Sequence, residues 1–85
     1  MPTDEFIARL RAASRPDEYF RLTFAERFRT DGFGYVTGKE PEVYVTKWTF
    51  RPALDDCQCV ASGRTVEEVR ERFERWITAR EAPNP

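Results

Sequence analysis

The side chains best suited to metal or redox chemistry are Cys57 and Cys59, which follow the acidic pair Asp55 and Asp56. Structural zinc takes four Cys or His ligands, and the sequence contains no His. A strand separates cysteines two residues apart by more than a disulfide tolerates. We therefore interpret both cysteines as small, buried or half-buried packing residues that point to the same side of a strand, and we predict no metal and no cofactor. A metal site completed by a second subunit, and a redox thiol activated by an arginine, are the alternatives.

The residues needed for catalysis are scarce. The absence of His removes the commonest general base and the usual nucleophilic triads. The carboxylate pairs Asp55-Asp56 and Glu67-Glu68 stand in a turn and in the first turn of a helix, where such pairs typically cap and solvate the chain. The four glycines form neither a phosphate loop nor a dinucleotide fingerprint. We predict that the protein is not an enzyme.

Length and composition indicate a small folded domain. The chain has 85 residues, of which 7 are Phe, 3 Tyr and 2 Trp, and a few such side chains can bury much of the area that a small core needs. Its net charge of −1 gives no overall attraction to nucleic acid or membranes. The sequence contains no apolar run long enough to span a membrane, and its first residues are acidic where a signal peptide would be basic. We expect a soluble cytoplasmic protein with no membrane partner.

A helix from Thr3 to Ser14 is predicted by apolar residues at spacings of three and four. Residues 17–30 fit two structures. As a strand, they place Phe20, Leu22, Phe24 and Phe28 on one face; as a helix, three of these phenylalanines form a stripe at i, i+4. The aromatic and β-branched content favours the strand.

Three further strands are predicted. Asp31-Gly32 is typical of a two-residue hairpin turn with positive φ, residues 33–37 form a short strand, and Gly38 to Pro41 end it. Residues 42–51 alternate most clearly, residues 52–56 turn the chain, and residues 57–62 form the last strand. Thr65 and Glu68 then form a capping box, which opens a helix with the apolar stripe Val66, Val69, Phe73, Trp76 and Ile77.

These elements predict one α+β domain over residues 1–80, followed by a frayed tail at 81–85. Its order is α-β-β-β-β-α, with an antiparallel sheet of three or four strands and both helices on one face. With both helices on one face, we expect the phenylalanines of the first strand to form the core together with Tyr44, Trp48 and Phe50. The opposite face would then present a set of largely cationic residues: Arg21, Arg27, Lys47, Thr49 and Arg51. A normally solvated face is the alternative interpretation of that set.

Two resemblances concern parts of this layout. Helix, strands and helix in this order are similar to the double-stranded-RNA-binding domain, but the basic cluster that opens the family's last helix falls here on the acidic run at 65–70. The run ASGRTVEEVRERFERWI, residues 61–77, resembles the end of HicB-type antitoxin domains, where a strand, a Gly, a Thr cap and an acidic helix start recur. This resemblance implies an antitoxin-like repressor component.

Function follows from the predicted cationic face. Guanidinium groups beside an open sheet can hold an acidic partner surface or phosphates. With a charge near zero, we expect a small regulator or inhibitor that binds a macromolecular partner through the open sheet face or an edge strand, with a protein partner favoured over nucleic acid. The alternative is a nucleic-acid-binding module that uses the same arginines. A homodimer formed through a sheet edge is also expected, because it removes unpaired backbone groups.

Overall fold

The computed structural model describes residues 2–50 and 56–82 of the chain. The elements follow the order α1 (Pro2–Ala13), β1 (Glu18–Thr30), β2 (Val36–Thr49), β3 (Asp56–Gly63) and α2 (Val66–Glu81). The strands form an antiparallel sheet in the order β1-β2-β3. The α+β class is confirmed, and within the described ranges the sheet has three strands. Neither described helix has the length and apolar character needed to cross a membrane. Of the predicted tail, Glu81 closes α2 and residues 83–85 lie outside the described residues.

The ambiguous segment at 17–30 is a strand. All of β1 pairs with β2, from Glu18 opposite Thr49 to Thr30 opposite Val36, with one irregularity between Arg29 and Thr30. A strand here satisfies its own backbone groups and one edge of β2 together, whereas a helix would satisfy only its own backbone and leave that edge of β2 unpaired.

The predicted second and third strands are one continuous strand, β2, so the break expected at Gly38 to Pro41 is wrong. The physical reason is the side of the strand toward which each residue of β2 directs its backbone N–H and C=O groups. Phe50 N donates to Asp17 O at 2.8 Å, so even-numbered residues of β2 bond to β1 and odd-numbered residues direct their backbone groups the other way. Pro41 therefore has its nitrogen on the side away from β1, where β3 pairs no further than Val43 opposite Gly63. Pro41 costs the ladder no hydrogen bond there.

The connection between β1 and β2 is longer than the predicted two-residue turn. Asp31 holds it together: its backbone N–H donates to Tyr35 O at 3.0 Å, and its side chain accepts from the amides of Phe33 and Tyr35 at 2.8 and 3.0 Å. Gly34, not Gly32, has the positive φ, at 86°. The carboxylate of Asp31 closes a five-residue loop in place of the expected turn.

The core lies between the sheet and the two helices, but β2 presents its valines to it. Val43 and Val45 are 4% and 0% exposed, whereas Tyr44 and Trp48 are on the other face of the same strand. The prediction that Tyr44, Trp48 and Phe50 form the core is therefore wrong. The helices already supply bulky rings to the core, so small β-branched side chains fill the sheet side of this layer. The buried cluster consists of Phe6, Leu10, Val43, Val45, Ala61, Val69, Phe73 and Ile77.

The capping box at the start of α2 is confirmed. The Thr65 hydroxyl accepts from Glu68 N at 3.2 Å, and the Glu68 carboxylate accepts from Arg64 N at 2.7 Å. The backbone of Gly63 lies close to the first turn of α2, since a Cβ at this position would be 2.9 Å from the Cβ of Glu68. The tight strand-to-helix junction fixes α2 above β3.

A buried ion pair joins the ends of three elements. Arg80 Nη1, near the end of α2, donates to Glu18 Oε1 at 2.7 Å, at the start of β1. The same guanidinium lies 4.8 Å from the Trp76 ring and donates to the last carbonyl of α1, Ala13 O, at 3.4 Å. Glu18 is 8% exposed, so this carboxylate depends on Arg80 for compensation of its charge.

Candidate functional site: the open sheet face

In the described part of the chain, one face of the sheet carries no helix, and we call it the open face. Cross-strand partners share a face, so the register assigns to it the odd-numbered residues of β1 and the even-numbered residues of β2. Cys57 opposite Trp48 and Cys59 opposite Thr46 extend it onto β3. Gly38, opposite Arg29, and Ser62, opposite Tyr44, lie on it as well. The open face is therefore the surface of Tyr19, Arg21, Thr23, Ala25, Arg27, Arg29, Gly38, Glu40, Glu42, Tyr44, Thr46, Trp48, Cys57, Cys59 and Ser62.

Three aromatic rings form a cluster at one end of this face, which we call the aromatic cluster: Tyr19, Trp48 and Phe50. Tyr19 lies 6.1 Å from Trp48 with nearly parallel rings and 5.2 Å from Phe50. Trp48 Nε1 donates to Thr46 Oγ1 at 3.2 Å, which fixes the orientation of the indole. Phe50 remains 60% exposed and Tyr19 37% exposed. The cluster is preorganised and presents apolar surface to solvent.

The predicted cationic set is divided by the structure. Arg21 and Arg27 lie on the open face and are exposed. Lys47 and Thr49 lie on the helix side, where Lys47 Nζ is 5.8 Å from the Trp76 ring. Arg51 lies outside the described residues. The set failed because it assigned the wrong face to β2: Lys47 shares the face of Val45, which is buried.

The arginines toward the far end of the open face have acidic neighbours. Glu40 forms ion pairs with Arg29 and, at 3.4 Å, with Arg64. Arg27 lies directly opposite Glu40 and lines a polar cleft of about 270 Å³ together with Glu42. Arg21 differs, because the residue opposite it is Thr46 and no carboxylate of the described residues forms an ion pair with it, whereas Arg27 has Glu40 opposite it. The open face thus combines an aromatic end, one arginine next to it, and a charge-compensated end.

Both cysteines are on the open face and exposed, so their interpretation as buried or half-buried packing residues is wrong. The prediction that they point the same way is confirmed, since Cys57 pairs with Trp48 and Cys59 with Thr46. The Cys59 thiol lies 3.7 Å from Ala61 O. Over residues 2–50 and 56–82, no three Asp, Glu, Cys or His side chains are grouped so that they could hold a metal ion.

Sequence reasoning missed a second exposed surface, which we call the arm. The arm is the part of the β1-β2 hairpin beyond the last β3 pair, residues 25–42. Phe28 is 58% exposed, Phe33 90% and Tyr35 72%. The signal for it was the excess of aromatic residues around Asp31-Gly32 over what a small core can hold. For the aromatic cluster the signal was the hairpin register, which places Tyr19 beside Trp48.

Comparison with known proteins does not extend these observations. The chain matches no protein-family model, no curated protein and no solved structure. The resemblances to the double-stranded-RNA-binding domain and to HicB-type antitoxins therefore rest only on the element order and on residues 61–77 given above.

Proposed function

We propose that this chain is a small non-enzymatic regulator or inhibitor that binds a macromolecular partner through its open face, and that the partner is a protein. The observation that carries the proposal is the aromatic cluster next to Arg21 on a sheet face that neither helix covers. A preformed patch of this kind has no role in the core of the chain.

The side-chain types of this patch favour protein recognition. Trp, Tyr and Arg are the residues that most often dominate the binding energy of protein interfaces, and they act best when held rigidly near the centre of the contact. Tyr19 is held between two rings, and the Trp48 indole is anchored to Thr46. Little side-chain entropy is lost when such groups are buried by a partner. The open face is thus suited to serve as the centre of an interface.

The charge distribution favours a protein over a nucleic acid. A phosphate backbone is bound by several uncompensated cations, and the resulting affinity falls steeply with salt. On the open face, however, Arg27 and Arg29 have Glu40 and Glu42 as neighbours, and only Arg21 stands apart from them. A nucleic-acid-binding module that stacks bases on Tyr19 and Trp48 is the second candidate, because aromatic rings on an open sheet can serve this purpose as well.

The proposal is tested with variants that change only exposed atoms. A partner captured from native lysate with the wild-type chain is purified, and its Kd is measured for Arg21→Ala and Phe50→Ala. Each variant is expected to raise Kd by about tenfold or more, the loss typical of a residue near an interface centre. The matched controls are Arg75→Ala on the outer face of α2 and Phe33→Ala in the loop of the arm, both exposed and both distant from the cluster.

The outcomes separate the two candidates. Wild-type affinity of an Arg21→Ala, Phe50→Ala double variant that melts like the wild type would exclude the open face as the binding surface. A titration with mixed-sequence single- and double-stranded DNA and RNA at low and near-physiological salt tests the second candidate. Binding that weakens about tenfold or more with salt would favour nucleic acid, and no binding at low salt would favour the protein partner.

A further inference from the structure

Among the described residues, no strand pairs with the outer edge of β1, and this edge is separate from the open face. Because Phe50 N bonds to Asp17 O, the odd-numbered residues of β1 direct their backbone groups to β2. The even-numbered ones, among them Phe20, Leu22 and Phe24, direct theirs outward. Within the described part of the chain, no hydrogen bond from another element reaches the outward groups of these three residues.

The side chains beside this edge are apolar on the helix side. Phe20 and Leu22 are half-buried, and Phe24 is 59% exposed. A long edge strand with apolar side chains is a template for pairing with another strand, and proteins that remain monomeric usually protect such an edge. A further strand paired with this edge, together with the helix packed on that strand, would bury the exposed ring of Phe24.

We infer that the strand that completes this edge is β1 of a second copy of the chain, paired antiparallel about a two-fold axis at Leu22. An isologous contact of this kind requires the edge to be complementary to itself. With Leu22 opposite Leu22 of the second copy, Phe20 lies opposite Phe24 of the second copy, and Phe24 lies opposite Phe20 of the second copy. The three apolar side chains of each edge then meet apolar side chains only.

The charges support the same register. An axis at Leu22 places Arg27 opposite Asp17 of the second copy, so that two pairs of opposite charge flank the apolar contacts. It also places Glu18 opposite Glu26 of the second copy. Both carboxylates already have a cation, Arg80 at 2.7 Å for Glu18 and Lys39 at 3.8 Å for Glu26.

Neighbouring registers are worse matched. Moving the axis to Thr23 places Glu26 opposite Phe20. Moving it to Phe24 places Glu26 opposite Leu22 and Arg21 opposite Arg27. An axis at Arg21 sets that arginine opposite itself. Among these registers, only the axis at Leu22 pairs Phe20, Leu22 and Phe24 solely with one another. Its like-charge contact, Glu18 opposite Glu26 of the second copy, is compensated by Arg80 and Lys39, whereas the arginine contacts of the axes at Phe24 and Arg21 have no such compensation at Arg21 among the described residues.

The inferred dimer has one continuous sheet of six strands. Both pairs of helices lie on one side of it and both open faces on the other, because paired residues share a face. The two aromatic clusters then belong to a single surface, and a partner bound there meets two copies of it.

Sedimentation equilibrium over a concentration series tests the inference with the full chain. The wild type is expected to dimerise, and Phe24→Lys to weaken the dimer by at least about tenfold, because a charge replaces an apolar contact on both sides of the axis. Phe33→Lys is the matched control, since Phe33 is 90% exposed and outside the pairing, and it is expected to dimerise like the wild type. A wild type that remains monomeric at the highest soluble concentration would overturn the inference, as would a dimer that Phe24→Lys leaves unchanged.

A charge exchange tests the register. Asp17→Arg and Arg27→Asp each place like charges opposite one another twice, so each variant alone is expected to dimerise at least about tenfold more weakly than the wild type. A mixture of the two variants restores opposite charges at both sites and is expected to form the heterodimer with near wild-type affinity. Misfolding of either variant cannot produce this recovery. A dimer that is insensitive to both substitutions, or a mixture that shows no recovery, would overturn the register.

Discussion

Removal of the Arg80 guanidinium should cause a large loss of stability. Arg80→Ala leaves the Glu18 carboxylate, only 8% exposed, without the cation that lies 2.7 Å from it. Loss of one partner of a buried ion pair typically costs about 3–5 kcal/mol. We expect about 3 kcal/mol, at the low end, because the Arg80 side chain is itself 14% exposed. For a domain of this size that corresponds to a fall in Tm of roughly 12–24 °C.

A second ion pair of the same chain provides the control. Arg75 Nη2 and Glu71 Oε1 are 2.6 Å apart, but their side chains are 75% and 65% exposed. Arg75→Ala should therefore cost less than about 0.5 kcal/mol, in spite of the equally short distance. The assay is urea unfolding at pH 7 followed by far-ultraviolet circular dichroism. Equal losses for Arg80→Ala and Arg75→Ala would refute the argument that burial, rather than distance, determines the effect.

Further variants separate the ion pair from the packing of the Arg80 side chain. Glu18→Gln retains size and hydrogen-bonding groups and should cost about 1–2 kcal/mol. The double variant Glu18→Gln, Arg80→Met leaves no buried charge and should be more stable than Arg80→Ala. If the double variant is the less stable of the two, the uncompensated charge of Glu18 is not the main cause of the loss in Arg80→Ala.

The same site predicts a dependence of stability on pH. Burial raises the pKa of Glu18. Hydrogen bonds from Arg80 and from the Arg15 backbone, together with the charges of Arg80 and Lys47, lower the pKa by more than burial raises it, so the net pKa of Glu18 is below its ordinary value. A pKa lowered by folding stabilises the protein above the ordinary value, about pH 4.3, and this contribution is lost as the pH falls through the folded pKa. The urea midpoint of Glu18→Gln should fall less steeply than that of the wild type below this pH. Parallel curves would contradict the assignment.

Two predictions concern other positions. Gly63→Ala should lower the free energy of unfolding by about 1–3 kcal/mol, because the added Cβ would lie 2.9 Å from the Cβ of Glu68. Gly38→Ala is the control: no heavy atom lies within 4 Å of its added Cβ, so it should change the free energy of unfolding by less than about 1 kcal/mol. Similar losses for the two variants in urea unfolding would refute the argument that the strand-to-helix junction at Gly63 is tightly packed. Cys57 and Cys59 are exposed, so both thiols should react with a thiol reagent in the native protein, and a reaction that requires denaturant would contradict their place on the open face.

Local patterns in the sequence determined the two helices and only favoured a strand over a helix at residues 17–30. The period of the stripe in α2 and the Thr65 capping box depend on residues within a few positions of one another, so the bounds and the buried side of this helix were accessible. The α+β class follows from the same local signals.

Other features depended on contacts between distant segments. Alternation in residues 42–51 shows which side chains share a face, but a period of two assigns no face to the core. Both faces of β2 carry apolar residues, and only packing against Phe6 and Phe73 selects Val43 and Val45. This choice alone moved Lys47 and Thr49 to the helix side and left Arg21 and Arg27 on the open face.

The sequence by itself thus determined the two helices, the cap of α2 and the abundance of aromatic and arginine side chains from which a binding surface could be built, and it favoured a strand at residues 17–30. Tertiary structure decided the course of β2 through Pro41, whose missing N–H matters only if a strand lies opposite it, and the exposure of Cys57 and Cys59. It also decided the position of the aromatic cluster, because the face of a strand is fixed by the volume of what packs against it and not by the strand's own alternation.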